Sequence, residues 1–109
     1  MVKLLTPQQV YERLQAPRGD LILVDVRTGR EWQREGYIEG AVLIPMNELQ
    51  ARAAQELPKD AEIIIYCHSG ARSSAVAGFL AQVGYTNVSD LSGGIGGWLR
   101  HHLPVRKDP

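Results

Sequence analysis

The chain reads as an α/β domain in three layers, a five-stranded parallel sheet with helices on both faces. Three observations predict this. Short apolar runs take turns with helix-period segments from end to end, the order that builds right-handed βαβ units. The runs 21–26 (LILVDV) and 63–66 (IIIY) are continuous rather than alternating, as expected for strands covered on both sides. Finally, 109 residues suit a single domain spanning 1–109, which at this size buries roughly 65% of its unfolded surface without disulfide staples.

Each element has its own local reason. Residues 2–5 (VKLL) form a weak first strand. Thr6 then caps a helix with Pro7 in its first turn, the preferred place for proline. Val10, Tyr11 and Leu14 share one face of that helix, and Pro17-Arg18-Gly19 ends it. The second strand is 21–26. Residues 28–35 make a short helix stopped by Gly36, and 41–44 (AVLI) a third strand. Asn47 is placed to cap the next helix, with Leu49, Ala53 and Leu57 on its buried side and Pro58 beyond its end. The fourth strand, 63–66, is the most β-branched. Residues 73–83 are helical, with Val76, Phe79, Leu80 and Val83 spaced i, i+3, i+4 and i+7, and Gly84 as the C-terminal stop. Residues 88–91 give the fifth strand, Ile95, Trp98 and Leu99 a last short helix, and 104–109 a frayed tail.

Composition narrows the functions. Twelve basic residues balance twelve acidic ones, so no general attraction to nucleic acid or anionic membrane is expected and anion recognition must be local. A single cysteine permits neither an internal disulfide nor a CxxC pair. The first residues, MVKLLTP, are not an apolar leader, and no run approaches membrane-spanning length. A reducing, cytoplasmic setting is the expected one.

The lone cysteine opens the stretch CHSGARSSA (67–75), directly after the fourth strand. In a parallel α/β sheet the ligand site lies at the carboxyl ends of the strands, which is where Cys67 falls. A thiol becomes a nucleophile as thiolate, favoured by a helix N-terminus or a nearby cation. Both are at hand. The helix beginning near Ser73 points unpaired N–H groups at the loop. His68, Ser69, Gly70 and Ala71 can curl so that successive amides surround the sulfur, with Gly70 supplying backbone freedom. Arg72 brings a permanent charge for the loop or for an incoming anion. The alternative reading is a cysteine buried as a small hydrophobe at a strand end.

From here the chain resembles a known family. CHSGARS is similar to the active-site loop of the rhodanese family of sulfurtransferases. Asp25-Val26-Arg27 followed by Glu31 resembles its DVR-x3-E segment. Gly36 to Ala41, running into Ile44-Pro45, resembles its G-H-I-x-G-A…I-P element, with Tyr37 in place of the usual His. Leu91 to Trp98 resembles its closing L-x-G-G-x-x-x-W. The resemblance implies a single-domain enzyme in which a small anionic donor such as thiosulfate gives sulfane sulfur to Cys67 and a thiophilic acceptor (cyanide, a thiol or a protein) removes it. Arg72 would orient the donor, residues 68–73 would cradle the persulfide, and no metal or organic cofactor would be needed. As to assembly, a monomer or weak dimer is equally compatible with it.

Two other chemistries use a cysteine-to-arginine loop. Related dual-specificity phosphatases have one more residue than the four between Cys67 and Arg72, and the shorter ring suits one sulfur better than a phosphoryl group. Arsenate reduction lacks the second cysteine that would resolve its intermediate. A binding module without catalysis is the third alternative, though such modules typically lack the cysteine. Among supporting residues, Asp25 can brace the loop or Arg27, and Arg27 and Glu31 are read as an ion pair. His68 either touches substrate or faces solvent, and the hydroxyls of Ser69 and Ser73 can bond to sulfur. His101 and His102 alone make no metal site, Trp32 and Trp98 are read as packing, and the Gly93-Gly94 and Gly96-Gly97 pairs as a turn.

Overall fold

Tyr66 and the three isoleucines before it lie at the centre of the sheet, every one buried. In the computed structural model, which describes residues 2–108, the strands are β1 (Lys3–Leu5), β2 (Ile22–Asp25), β3 (Val42–Leu43), β4 (Ile63–Tyr66) and β5 (Val88–Leu91). All pair in parallel, in the order β1-β5-β4-β2-β3. The helices are α1 (Pro7–Gln15), α2 (Gly29–Glu35), α3 (Met46–Glu56), α4 (Ala71–Gln82) and α5 (Gly94–Arg100).

The continuous apolar run of β4 follows from two cores separated by the sheet. Ile63 and Ile65 join Val24, Ile44, Leu49, Val76 and Leu80 beneath α3 and α4. Ile64 and Tyr66 point the other way, to Val10, Leu23, Leu91, Ile95 and Trp98 beneath α1 and α5. This is the expected three-layer arrangement.

Helix starts follow local chemistry. Thr6 and Thr28 each form a capping box, Thr6 with Gln9 and Thr28 with Glu31. Asn47 does not cap α3. Pro45 holds the N-cap position, and its fixed φ of −55° leads the chain into the helix at Met46 without a side-chain bond. α4 begins at Ala71, two residues before the expected start, because Gly70 takes a left-handed conformation that turns the chain directly into the helix. Its buried stripe is Ser73, Val76, Ala77 and Leu80, while Val83 is 38% exposed, so a serine and an alanine let the helix lie close to the sheet.

Where a frayed tail is expected from Pro104, the described part of it is tied to the domain. The Trp98 indole donates to the Pro104 carbonyl at 2.9 Å, Tyr37 and Arg106 exchange two backbone bonds of 2.8 Å, and the Tyr37 hydroxyl bonds to Asp108 at 2.7 Å. The buried indole N–H needs an acceptor, and the chain end supplies it.

Candidate active site

β4 ends at Tyr66, so the next residue is held at the carboxyl edge of the sheet. From there Cys67 to Gly70 curl into α4. Gly70 has φ +115°, a conformation that side chains avoid, and its carbonyl accepts the Ser74 amide of the first helical turn.

This curl converges donors on one sulfur. The Gly70 amide donates to Cys67 Sγ at 3.0 Å and the Ser73 amide at 3.4 Å. The Ser73 hydroxyl lies 3.4 Å from Sγ. Burial pushes the thiol pKa up, but the Ser73 hydroxyl and the Ser73, Gly70 and Ser69 amides pull it down, and the net direction is downward. The thiol is only 1% exposed and packs within the apolar core beneath α3 and α4, while the loop side of its sulfur meets the amide donors that stabilise a thiolate.

The loop is held from behind by α5. The Ile95 amide donates to the Cys67 carbonyl and the Gly96 amide to the His68 carbonyl, both at 2.9 Å. Such an approach requires Gly94, which has φ +60°; a Cβ there would meet the Cys67 carbonyl oxygen at 2.5 Å and the His68 carbonyl carbon at 2.6 Å. Sequence reasoning took the Gly93-Gly94 pair as a turn. The signal was the doublet itself, directly before the α5 helix pattern.

The charged residues pair differently from the sequence expectation. Arg27 and Glu31 are not partners. Glu31 instead makes a two-pronged ion pair with Arg72, at 2.7 and 2.8 Å. Arg72 sits in the first turn of α4 and Glu31 in the first turn of α2, where the Thr28 box fixes it. The Arg72 guanidinium holds the Glu31 carboxyl at a pKa of about 2, aided by Thr28 and opposed by burial.

Arg27, wholly buried, pairs with equally buried Asp25: its backbone N–H, Nε and Nη2 donate to that carboxylate at 2.7–3.1 Å. Nη2 also donates to the Gly36 carbonyl, and the guanidinium lies 5.7 Å from the Tyr66 ring centroid. Asp25 therefore braces Arg27 rather than the loop, and through Arg27 the end of β2 meets Tyr66 at the end of β4. His68 is half exposed and its Nδ1 faces Glu35 at 3.4 Å.

The structure thus gathers Cys67, Gly70, Ser73 and the Ser69 amide around the sulfur. It places Arg72 beside them, bound to Glu31, and turns His68 to the rim. A cavity of about 470 Å³, lined by Val26, Thr28, Pro45, Met46, Asn47 and Arg72, opens next to that ion pair. Among the described residues no three His, Cys, Asp or Glu side chains group closely enough to hold a metal ion, and no helix is long and apolar enough to cross a membrane.

Residues 6–101 match the sequence profile of the Rhodanese-like domain. The chain is 42% identical over 105 residues to a protein of Allochromatium vinosum named "Sulfurtransferase", covering 96% of this chain and 95% of that one. It is 36% identical over 104 residues to the "Thiosulfate sulfurtransferase GlpE" of Haemophilus influenzae, covering 94% and 93%. Among solved structures, a Rhodopseudomonas palustris protein of unknown function, described as a possible tyrosine phosphatase, superposes with a TM-score of 0.88 at 25% identity, over 96% of this chain and 85% of that one.

Proposed function

From the membership of this chain in the rhodanese-like family, we propose that it is a sulfurtransferase in which Cys67 carries sulfur from an anionic donor such as thiosulfate to a thiophilic acceptor. The observation that carries this reading is the convergence of the Gly70 and Ser73 amides and the Ser73 hydroxyl on Cys67 Sγ.

The Cys67 thiolate attacks the sulfane sulfur of thiosulfate. A new S–S bond forms on Cys67, the S–S bond of the donor breaks, and sulfite leaves with the bonding pair. The resulting persulfide is an anion, and the N–H groups of the surrounding loop and of the α4 N-terminus favour its charge. A nucleophilic acceptor (cyanide, a thiol or a protein thiol) then takes the outer sulfur, and Cys67 departs as the thiolate that the amides favour. Residues 68–73 supply the cradle. Arg72 offers the donor oxygens a planar pair of N–H groups, which they take over from Glu31. Asp25, Arg27 and Glu31 act as supports. These steps need no metal or cofactor.

Phosphate-ester hydrolysis is the second reading, favoured by the description of the Rhodopseudomonas structure. Against it stands the loop: four residues separate Cys67 from Arg72, and the Gly70 amide closes to 3.0 Å on Sγ. A loop one residue shorter than that of the phosphatases suits one sulfur atom better than a phosphoryl group. Steady-state assays with thiosulfate and cyanide, and in parallel with p-nitrophenyl phosphate, decide between them. Thiocyanate formation that vanishes in Cys67→Ser, with no phosphate release, is expected. Phosphate release without thiocyanate reverses the assignment.

A further inference from the structure

Arg72 is the one charged residue among those lining the cavity of about 470 Å³, and its charge is already engaged. Nη1 and Nη2 donate to the two oxygens of Glu31 at 2.7 and 2.8 Å, so both ends of the guanidinium fork are occupied. Among the described residues the Arg72 side chain has no other hydrogen-bond partner.

Glu31 is held differently. Its Oε1 also accepts the Thr28 amide at 3.0 Å and the Thr28 hydroxyl at 3.2 Å, within the capping box of α2. The carboxylate therefore keeps its place and two donors when Arg72 turns away, whereas Arg72 leaves with its charge unmatched. Helix geometry adds to this asymmetry. Arg72 is the second residue of α4, where the positive end of the helix dipole disfavours a cation and favours an anion. Two counter-ions can serve at that spot, the fixed Glu31 carboxylate or a free anion in the cavity. The pair is also partly open to water, with the Arg72 side chain 36% and the Glu31 side chain 22% exposed. Exchanging one counter-ion for the other is then inexpensive, as for solvated ion pairs in general.

We propose that Glu31 is a positioning residue that masks Arg72 in the resting protein: it is a built-in competitor for the anion subsite, and a donor must displace it to reach the guanidinium. The mask sets a threshold of affinity. Common anions are kept from filling the site, and the anion left after transfer is displaced as Glu31 returns to Arg72. A clamp that aims Arg72 at the donor predicts the reverse, weaker anion binding once the carboxylate is gone. The inference deepens the sulfurtransferase reading and rests on it for the identity of the donor. The masking itself concerns an oxyanion on Arg72 and can be read without any transfer reaction.

The probe is inorganic sulfate, a dianion like thiosulfate but with no sulfane sulfur to give. Its binding is followed by the backbone amide shifts of residues 70–73 in nitrogen-15 NMR titrations at constant ionic strength. Wild type, Glu31→Gln, Arg72→Ala and the double variant are compared. Glutamine keeps the length of Glu31 and serves equally in a capping box, so the substitution removes only the charge. Glu31→Gln should tighten sulfate about fivefold, the strength of a partly exposed ion pair, and lower KM for thiosulfate by a similar factor with a smaller change in kcat. In the Arg72→Ala background the gain should vanish. Unchanged or weaker sulfate binding in Glu31→Gln overturns the proposal. So does an equal gain with and without Arg72, which marks plain repulsion between Glu31 and the anion. If Glu31→Gln fails to fold by circular dichroism, Glu31→Asp repeats the test with a carboxylate drawn back from the guanidinium; failure of both makes Glu31 a structural residue and ends the proposal. A protein that binds sulfate as expected but takes no sulfur from thiosulfate leaves this inference standing while the sulfurtransferase reading falls.

Discussion

Replacing Gly94 by alanine tests whether α5 holds the Cys67–Gly70 loop in place. The left-handed conformation at φ +60° costs a residue with a side chain about 1–2 kcal/mol. The added methyl would also sit 2.5 Å from the Cys67 carbonyl oxygen and 2.6 Å from the His68 carbonyl carbon. Both are backbone atoms, so no side chain can swing aside, and the loop and helix must part by roughly 1 Å to restore ordinary contact. That separation breaks the Ile95–Cys67 and Gly96–His68 backbone bonds, each worth about 1 kcal/mol. The expected total is about 3–4 kcal/mol, a large share of the roughly 5–15 kcal/mol that stabilises a domain. Urea unfolding followed by tryptophan fluorescence measures the loss, and sulfur transfer at low temperature measures the folded fraction. That fraction should have at least a tenfold lower kcat/KM, because the carbonyls α5 anchors set where the neighbouring amides aim. Gly78→Ala is the control: it lies inside α4 with nothing within 4 Å of the added methyl, and should stabilise by about 0.5–1 kcal/mol. Gly94→Ala within 1 kcal/mol of wild type and fully active refutes the reasoning.

Other perturbations separate the remaining parts. Arg72→Ala should raise KM for thiosulfate about tenfold or more, with a smaller effect on kcat, since it removes a charge-assisted contact to the donor; an unchanged KM in steady-state assays contradicts its role. Asp25→Ala should cost about 3–5 kcal/mol in urea unfolding, because it leaves a wholly buried guanidinium with only the longer 3.6 Å contact to Glu35 as counter-charge; a loss below 1 kcal/mol contradicts that. Glu31 has its pKa lowered to about 2 by Arg72, so its stabilising share is present above the ordinary carboxylate range near 4.5 and is lost as pH falls toward 2. The Tm gap between wild type and Glu31→Gln should accordingly be equal at pH 7 and pH 5 and close only below; closure between pH 7 and 5 contradicts the pairing. Deleting 104–109 removes the acceptor of the Trp98 indole and the Tyr37 bridge, and should lower stability by about 1–3 kcal/mol in the same unfolding assay.

The layers and the position of Cys67 were legible because they rest on local signals. An unbroken IIIY run needs cover on two faces, and Thr6 and Thr28 with Gln9 and Glu31 three residues on mark helix starts. Cys67 at a strand end before a glycine and a helix leaves few places for its sulfur other than among amides. The partner of each charge was not legible. Arg27 and Glu31 are four apart in sequence, yet Arg27 turns back to Asp25 at the end of β2, while Glu31 faces Arg72, a residue 41 positions away whose approach depends on how α2 and α4 pack. Gly94 escaped for a similar reason: what it permits is contact with a loop that is 26 positions earlier, and a glycine doublet looks the same in a turn as at a crowded crossing.

The central claim is that the amides of the 67–73 loop can hold one additional sulfur on Cys67. Intact-mass spectrometry after incubation with thiosulfate addresses it most directly. The account predicts a mass increase of a single sulfur atom, removed by cyanide and absent in Cys67→Ser. A protein whose mass stays unchanged under thiosulfate and other sulfane donors, with the thiol still open to alkylation, contradicts it.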